Sequence, residues 1–243
     1  MILFIKNMYY LIPLIVGFIS LAVFLFFRVK QKRIIAVWLK GFTSLMFITT
    51  ALVAFLTSSK PDNGFGVFII IALVFGLLGD VFLDIKYISK NHEDLFTKLG
   101  FISFAIGHIF FTTGLFVKFY DFTANILYLI IPIIASIILM IVTLLFEKFT
   151  PVRYQKMKPY VLIYSFILFF TTIMYLSVSI QSGWQNITAI IMFGGLVFFT
   201  LSDLVLNNTY FAPGFNTPAF VIVNHILYYI GQFAIAISLF FLL

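Results

Sequence analysis

The run FGVFIIIALVFGLLGDVFLDI, residues 65–85, decides the class of fold. It matches the ~20 residues that an α-helix needs to cross ~30 Å of hydrocarbon. Its only charged side chains, Asp80 and Asp84, stand near its end. A carboxylic acid within such a span is costly and by default marks a functional site. A second apolar run, residues 187–207, repeats the pattern through Leu201-Ser202-Asp203-Leu204, with Asp203 again near the far end. The two acids, Asp80 and Asp203, are expected to face each other.

Composition agrees with a membrane chain. Of 243 residues, 63% are hydrophobic, 20% aromatic and 9% charged, with a mean hydropathy of +1.17. A soluble domain has roughly 25% charged residues. The absence of cysteine excludes disulfides, thiolate catalysis and Cys-ligated metal sites. A net charge of +7 raises the question of nucleic acid, but the cations fall in short clusters between apolar runs, as loops at a membrane surface require. No nucleic-acid partner is therefore expected.

The apolar spans read as 9–27, 37–56, 65–85, 99–117, 124–146, 160–180, 187–207 and 218–242. They make an all-α, polytopic, single helical domain over residues 1–243. The first span lacks a small-residue cleavage site before Arg28 and reads as a retained helix. Alternate connections carry Arg28, Lys30, Lys32 and Arg33, then Lys86, Lys90 and Lys98, then Lys148, Arg153, Lys156 and Lys158. The other side carries only Lys6, Lys60 and Lys118. Basic loops stay in the cytoplasm, so this alternation predicts eight spans with both termini non-cytoplasmic. In a bacterial host the membrane would be the plasma or inner membrane.

That topology sets depth. Asp80 lies six residues before Lys86, or ~9 Å along a helix. Asp203 stands similarly before Asn207, and Lys40, His108 and His225 fall in the same half of their spans. Asp84 and Lys86 read as interfacial, His92 as a loop residue, and His225 as structural. Gly76, Gly79, Gly107, Gly194 and Gly195 flank the candidate site and should let helices approach closely around it.

These residues also carry a family resemblance. The run Gly76-Leu77-Leu78-Gly79-Asp80-Val81-Phe82-Leu83, the Gly107-His108 pair, Leu201-Ser202-Asp203-Leu204 and Tyr228-Tyr229-Ile230-Gly231-Gln232 resemble, in order and spacing, the YhhN-like family of integral-membrane lysoplasmalogenases. Lys40 resembles that family's span-two lysine. Two positions depart from the pattern: Gly41 stands where proline is usual, and Phe110 and Phe111 where an aromatic hydroxyl is common. The resemblance implies hydrolysis of the vinyl ether of a lysoplasmalogen, releasing a fatty aldehyde and glycerophosphoethanolamine or glycerophosphocholine. It implies no cofactor.

The chemistry fits the residues. Vinyl-ether hydrolysis starts with protonation at carbon, and water then captures the oxocarbenium ion. The reaction needs a proton donor and an anion. Two carboxyls in one low-dielectric site do not both ionise readily, so one keeps its proton while the other stabilises the cation. Paired-carboxylate glycosidases follow the same logic. The sequence leaves open which Asp holds the proton. His108 is a candidate hydrogen-bonding or relay partner, and Lys40, Tyr229 and Gln232 are candidate contacts for the phosphate or glycerol of a lysophospholipid held among membrane lipids. Two rivals remain. A metal-dependent lipid hydrolase would use His and Asp ligands, although no His-x-x-x-His cluster is present. A proton-coupled transporter would use the related Asp motifs of spans three and seven as an internal repeat.

Overall fold

The computed structural model describes residues 8–121, 123 and 125–242. Lys6 and Ala124, used in reading the topology and the fifth span, lie outside the described residues. Among those described there is no strand, and eight helices are long and apolar enough to cross a membrane. They are α1 (Leu11–Val29), α2 (Arg33–Leu56), α3 (Asn63–Ile85), α4 (Glu93–Lys118), α5 (Leu127–Phe149), α6 (Lys158–Gln181), α7 (Ile187–Phe211) and α8 (Pro218–Ser238).

Several helices outrun their apolar spans. α2 begins at Arg33 rather than residue 37, α4 at Glu93 rather than 99, and α7 continues to Phe211 rather than 207. Hydropathy detects the hydrocarbon-facing part of a helix, whereas backbone hydrogen bonding continues through Arg33, Glu93 and Asn207 until a turn stops it. These extensions lengthen the bundle at the end that carries the basic loops, called here the basic end.

Six helices form a ring in which α2 packs on α3, α3 on α4, α4 on α6, α6 on α7, α7 on α8, and α8 back on α2. α1 packs outside α2 and α5 outside α6. The outer helices explain themselves by composition. α5 buries only Pro132 and Ser136 and turns Ile130, Ile134, Ile137 and Ile141 outward, an arrangement that suits lipid and not water.

The ring is a duplication. Each packing pair in the first half has its counterpart in the second: α1–α2 with α5–α6, α2–α3 with α6–α7, and α3–α4 with α7–α8. Sequence positions follow. Lys40 corresponds to Tyr164, Asp62 to Asn186, Asp80 to Asp203, Phe104 to Tyr228 and His108 to Gln232, with spacings conserved to within one residue. Asp62 and Asn186 do the same work, each capping its helix by accepting from the backbone N–H three residues on, Phe65 at 2.9 Å and Ala189 at 3.0 Å. The two acid-bearing helices therefore start alike.

Glycine sets how closely α7 and α8 meet. A Cβ on Gly231 would stand 2.7 Å from the Gly195 carbonyl oxygen and 2.9 Å from the Phe199 amide nitrogen. Both are backbone atoms, so neither can swing aside. Gly194, grouped with Gly195 in the sequence reading, plays no such part, because nothing lies within 4 Å of its Cβ position. Gly231→Ala should therefore destabilise the detergent-solubilised protein by about 1–3 kcal/mol. Gly194→Ala should be neutral or slightly stabilising. Thermal unfolding of both variants tests the difference, and equal effects would contradict it.

Candidate functional site

α3 carries Asp80 and Asp84 one turn apart, so both carboxyls leave the same helix face. Both are buried, at 2% and 1% exposure. Lys40 on α2 reaches between them, its Nζ 3.3 Å from Asp80 Oδ1 and 3.3 Å from Asp84 Oδ1. Arg28, in the last turn of α1, places Nη1 3.5 Å from Asp84 Oδ2 and lies 3.9 Å over the Tyr87 ring. The chain Arg28–Asp84–Lys40–Asp80 thus joins three helices through two cations and two carboxylates. Its formal charge is zero, which is the condition under which buried ions are tolerated.

The second oxygen of Asp80 is also occupied. Ser44 Oγ donates to Oδ2 at 2.6 Å and Tyr228 OH donates to it at 2.7 Å. These donors are held from behind. Gln232 Nε2 donates to Tyr228 OH at 2.9 Å, and Tyr229 OH lies 3.0 Å from Ser44 Oγ and 3.3 Å from the Lys40 carbonyl oxygen. Ser44 spends its one proton on Asp80, so it accepts from Tyr229. Asp80 is in this way contacted by three donors, one ammonium and two hydroxyls.

Asp203 lies across a small polar cavity of about 30 Å³ that both acids line, large enough for water. Its surroundings differ. Tyr164 on α6 donates a hydrogen bond to Asp203 Oδ2, and among the described residues no cation lies within ion-pair distance of it. The rings of Tyr164 and Tyr228, the two donors, both pack on Phe104, with centroids 6.5 and 6.0 Å away. Phe104 thereby stands between the two donor rings. Two further cavities share its walls. Asp203, Leu206 and Tyr210 also line a largely apolar groove of about 170 Å³ walled by α4, α5, α6 and α7, including Phe101, Phe146 and Leu168. Arg28 and Tyr87 also line a vestibule at the basic end.

Several sequence expectations are corrected. Asp84 and Lys86, read as interfacial, are enclosed by protein: Asp84 belongs to the ion chain, and Lys86 is buried with Nζ 3.0 Å from the Tyr210 ring centre. His108 makes no hydrogen bond to either acid, and neither ring nitrogen has a partner among the described residues. It stands one helical turn beyond Phe104, which occupies the level of Gly79 and the acids, and instead packs its ring on Phe199 and Tyr164. Lys40 is committed to carboxylates rather than open to phosphate. Tyr229 and Gln232 line none of the three cavities and serve as the second layer behind Asp80. His225 does line the polar cavity, its Nδ1 tied to the Val221 carbonyl oxygen at 2.7 Å.

Arg28, Ser44, Tyr164 and Tyr228 are contributors that the sequence reading did not assign to the site. The spacing from Lys40 to Ser44 and from Asp80 to Asp84, each one turn, was an available signal. Among the described residues no group of three or more His, Cys, Asp or Glu side chains is placed to hold a metal ion.

The ion chain makes a stability prediction. Lys40→Met leaves two buried carboxylates with only Arg28 to balance them, and such a loss typically costs about 3–5 kcal/mol. Adding Asp80→Asn should recover part of that loss, because the uncompensated charge goes with it. Unfolding of the single and double variants in detergent reads the coupling, and strictly additive losses would show that the two side chains do not interact.

No curated protein and no solved structure matches the chain. The model of the YhhN family matches residues 35–239, from the start of α2 to the end of α8. By that match over nearly the whole length, the chain belongs to the YhhN family.

Proposed function

We propose that the chain is a lysoplasmalogenase, hydrolysing the vinyl-ether bond of 1-alkenyl lysophospholipids at the cavity between Asp80 and Asp203, with its basic end in the cytoplasm of the host cell. One observation carries the reading: two carboxyls share a cavity in which one is matched by a cation and the other is not. A buried carboxyl without a counter-charge is cheaper as the neutral acid. Asp203 is accordingly the proton donor and Asp80 the standing anion.

The reaction then runs with charges made in pairs. Asp203 gives its proton to the alkenyl carbon β to oxygen, so the oxocarbenium ion and the Asp203 carboxylate appear in the same step. The anion Asp80 faces the new cation across the cavity, its position preset by Lys40, Ser44 and Tyr228. Water from the polar cavity adds to the oxocarbenium carbon and returns a proton to Asp203, which restores the acid. The hemiacetal moves its hydroxyl proton to the glycerol oxygen and separates into aldehyde and alcohol. Asp80, already accepting from three donors, is a poor base, so Asp203 serves first as acid and then as base. The substrate's shape also matches the site: an alkenyl chain suits the apolar groove beside Asp203, while the rest of the lipid extends towards the basic end.

Aldehyde release from a 1-alkenyl lysophospholipid should fall at least about a hundredfold in Asp203→Asn and in Asp80→Asn. In D₂O the wild-type product should carry one deuterium on the carbon next to the carbonyl. Near-normal turnover in either variant removes that residue from the chemistry, and an aldehyde without the label removes protonation at carbon.

A further inference from the structure

The vestibule at the basic end has no part in the bond-breaking steps, yet it is a built cavity of about 200 Å³. Its walls include Arg28, Gln31, Arg33, Tyr87, Asn216 and Thr217, and among the described residues no carboxylate lines it. Arg28, Tyr87 and Asn216 also line the polar cavity that holds the two acids. We propose that Arg28 and Arg33 form a phosphate subsite here, which holds the lipid headgroup while the ether bond lies between Asp80 and Asp203. The proposal rests on the lysophospholipid reading above and names where that substrate's charge is read.

Both guanidiniums are orientated by one residue. The Arg28 guanidinium carbon stands over the Tyr87 ring, 3.9 Å from its centre, and Arg33 Nη1 donates to the Tyr87 carbonyl oxygen at 3.1 Å. The contact from Arg28 to Asp84, at 3.5 Å, is longer than a normal hydrogen bond. A guanidinium has five N–H donors in a fixed fork suited to phosphate oxygens, and these contacts use only part of that capacity. Arg33 is exposed, and among the described residues no carboxylate lies within ion-pair distance of it.

The backbone between them is shaped to bring them together. Gln31 adopts φ +56°, a left-handed conformation uncommon for a residue with a side chain. Its amide donates to the Arg28 carbonyl oxygen at 3.0 Å, and its own carbonyl oxygen accepts from Arg33 N–H at 3.0 Å. This turn reverses the chain between α1 and α2 within a few residues and presents Arg28 and Arg33 to one cavity. Across it, Thr217 caps α8 and Pro218 opens it, so the positive end of a helix dipole adds to the same field.

From the sequence, Lys40, Tyr229 and Gln232 are the candidate contacts for the phosphate or glycerol. Those residues are occupied by Asp80, Asp84, Ser44 and Tyr228. Snorkelling to the membrane surface would account for Arg33 alone. It does not account for a second arginine, Arg28, in the wall of the same cavity, nor for the wall shared with the cavity of the two acids.

The test measures binding rather than turnover. A saturated 1-O-alkyl lysophospholipid has no double bond to protonate, and a 1-O-alkylglycerol of equal chain length lacks the phosphate. Affinities of both for the full-length chain in detergent are compared between wild type, Arg33→Gln and Arg33→Glu. Wild type should prefer the phosphate-bearing ligand by about tenfold, equivalent to about 1.4 kcal/mol. Arg33→Gln should lose most of that preference and Arg33→Glu all of it, while alkylglycerol affinity stays within twofold throughout. Equal affinity of wild type for the two ligands, or an undiminished preference in Arg33→Glu, overturns the subsite. Inorganic phosphate provides the other arm: tight binding of the free anion with no preference between the two lipids would mark a free-anion site and overturn the headgroup assignment. Since neither ether is hydrolysed, a chain that binds as described but releases no aldehyde would disprove the reaction and leave the subsite standing.

Discussion

The ammonium of Lys40, held between the carboxyls of Asp80 and Asp84, is the contact on which the site depends. Helices in a bilayer gain little from hydrophobic association with one another, so packing and polar contacts must decide their register. Here one lysine fixes α2 against α3, and Arg28 extends the tie to α1. With Asp80 and Asp84 balanced by Lys40 and Arg28, the chain closes without Asp203. That exclusion gives two otherwise similar acids different surroundings.

The duplication makes the difference legible. Tyr164 occupies in the second half the position that Lys40 occupies in the first, and each makes a polar contact to the acid of its own half. Exchanging an ammonium for a hydroxyl removes a charge while keeping a donor. Phe104 and Tyr228 differ in the opposite sense: Tyr228 gives Asp80 a hydroxyl, and its counterpart Phe104 gives a bare ring that separates the two donors. Together these exchanges place a network around Asp80 and a single hydroxyl on Asp203. Asp203 also lines the apolar groove, while Arg28, the partner of Asp84, lines the vestibule, so the polarity of the neighbouring cavities follows the same asymmetry.

How much of this could be read from the chain differs by scale. Long apolar runs gave the number and type of the helices, because spanning a bilayer leaves few alternatives. Their ends were misplaced at Arg33, Glu93 and Asn207, where polarity changes before helical hydrogen bonding stops. Depth singles out Asp80 and Asp203, which line one cavity. Register between helices is absent from hydropathy, which is why His108 was assigned to a level that Phe104 occupies. Asp84 was dismissed for its nearness to the span end, although its one-turn spacing from Asp80 placed it on the same face. Tyr164 and Arg28 were hidden for another reason: tyrosine and arginine near a helix end are ordinary at a membrane surface, and only the fold reveals that these two turn inward.

The division of labour between the acids can be observed without a substrate. Infrared spectroscopy of the protein at neutral pH distinguishes the C=O stretch of a protonated carboxyl from the bands of a carboxylate. A protonated-carboxyl band should be present in the wild type, vanish in Asp203→Asn and persist in Asp80→Asn. If the band instead disappears with Asp80→Asn and survives in Asp203→Asn, or if the wild type has none, Asp203 is not the resident acid and the assignment of roles fails.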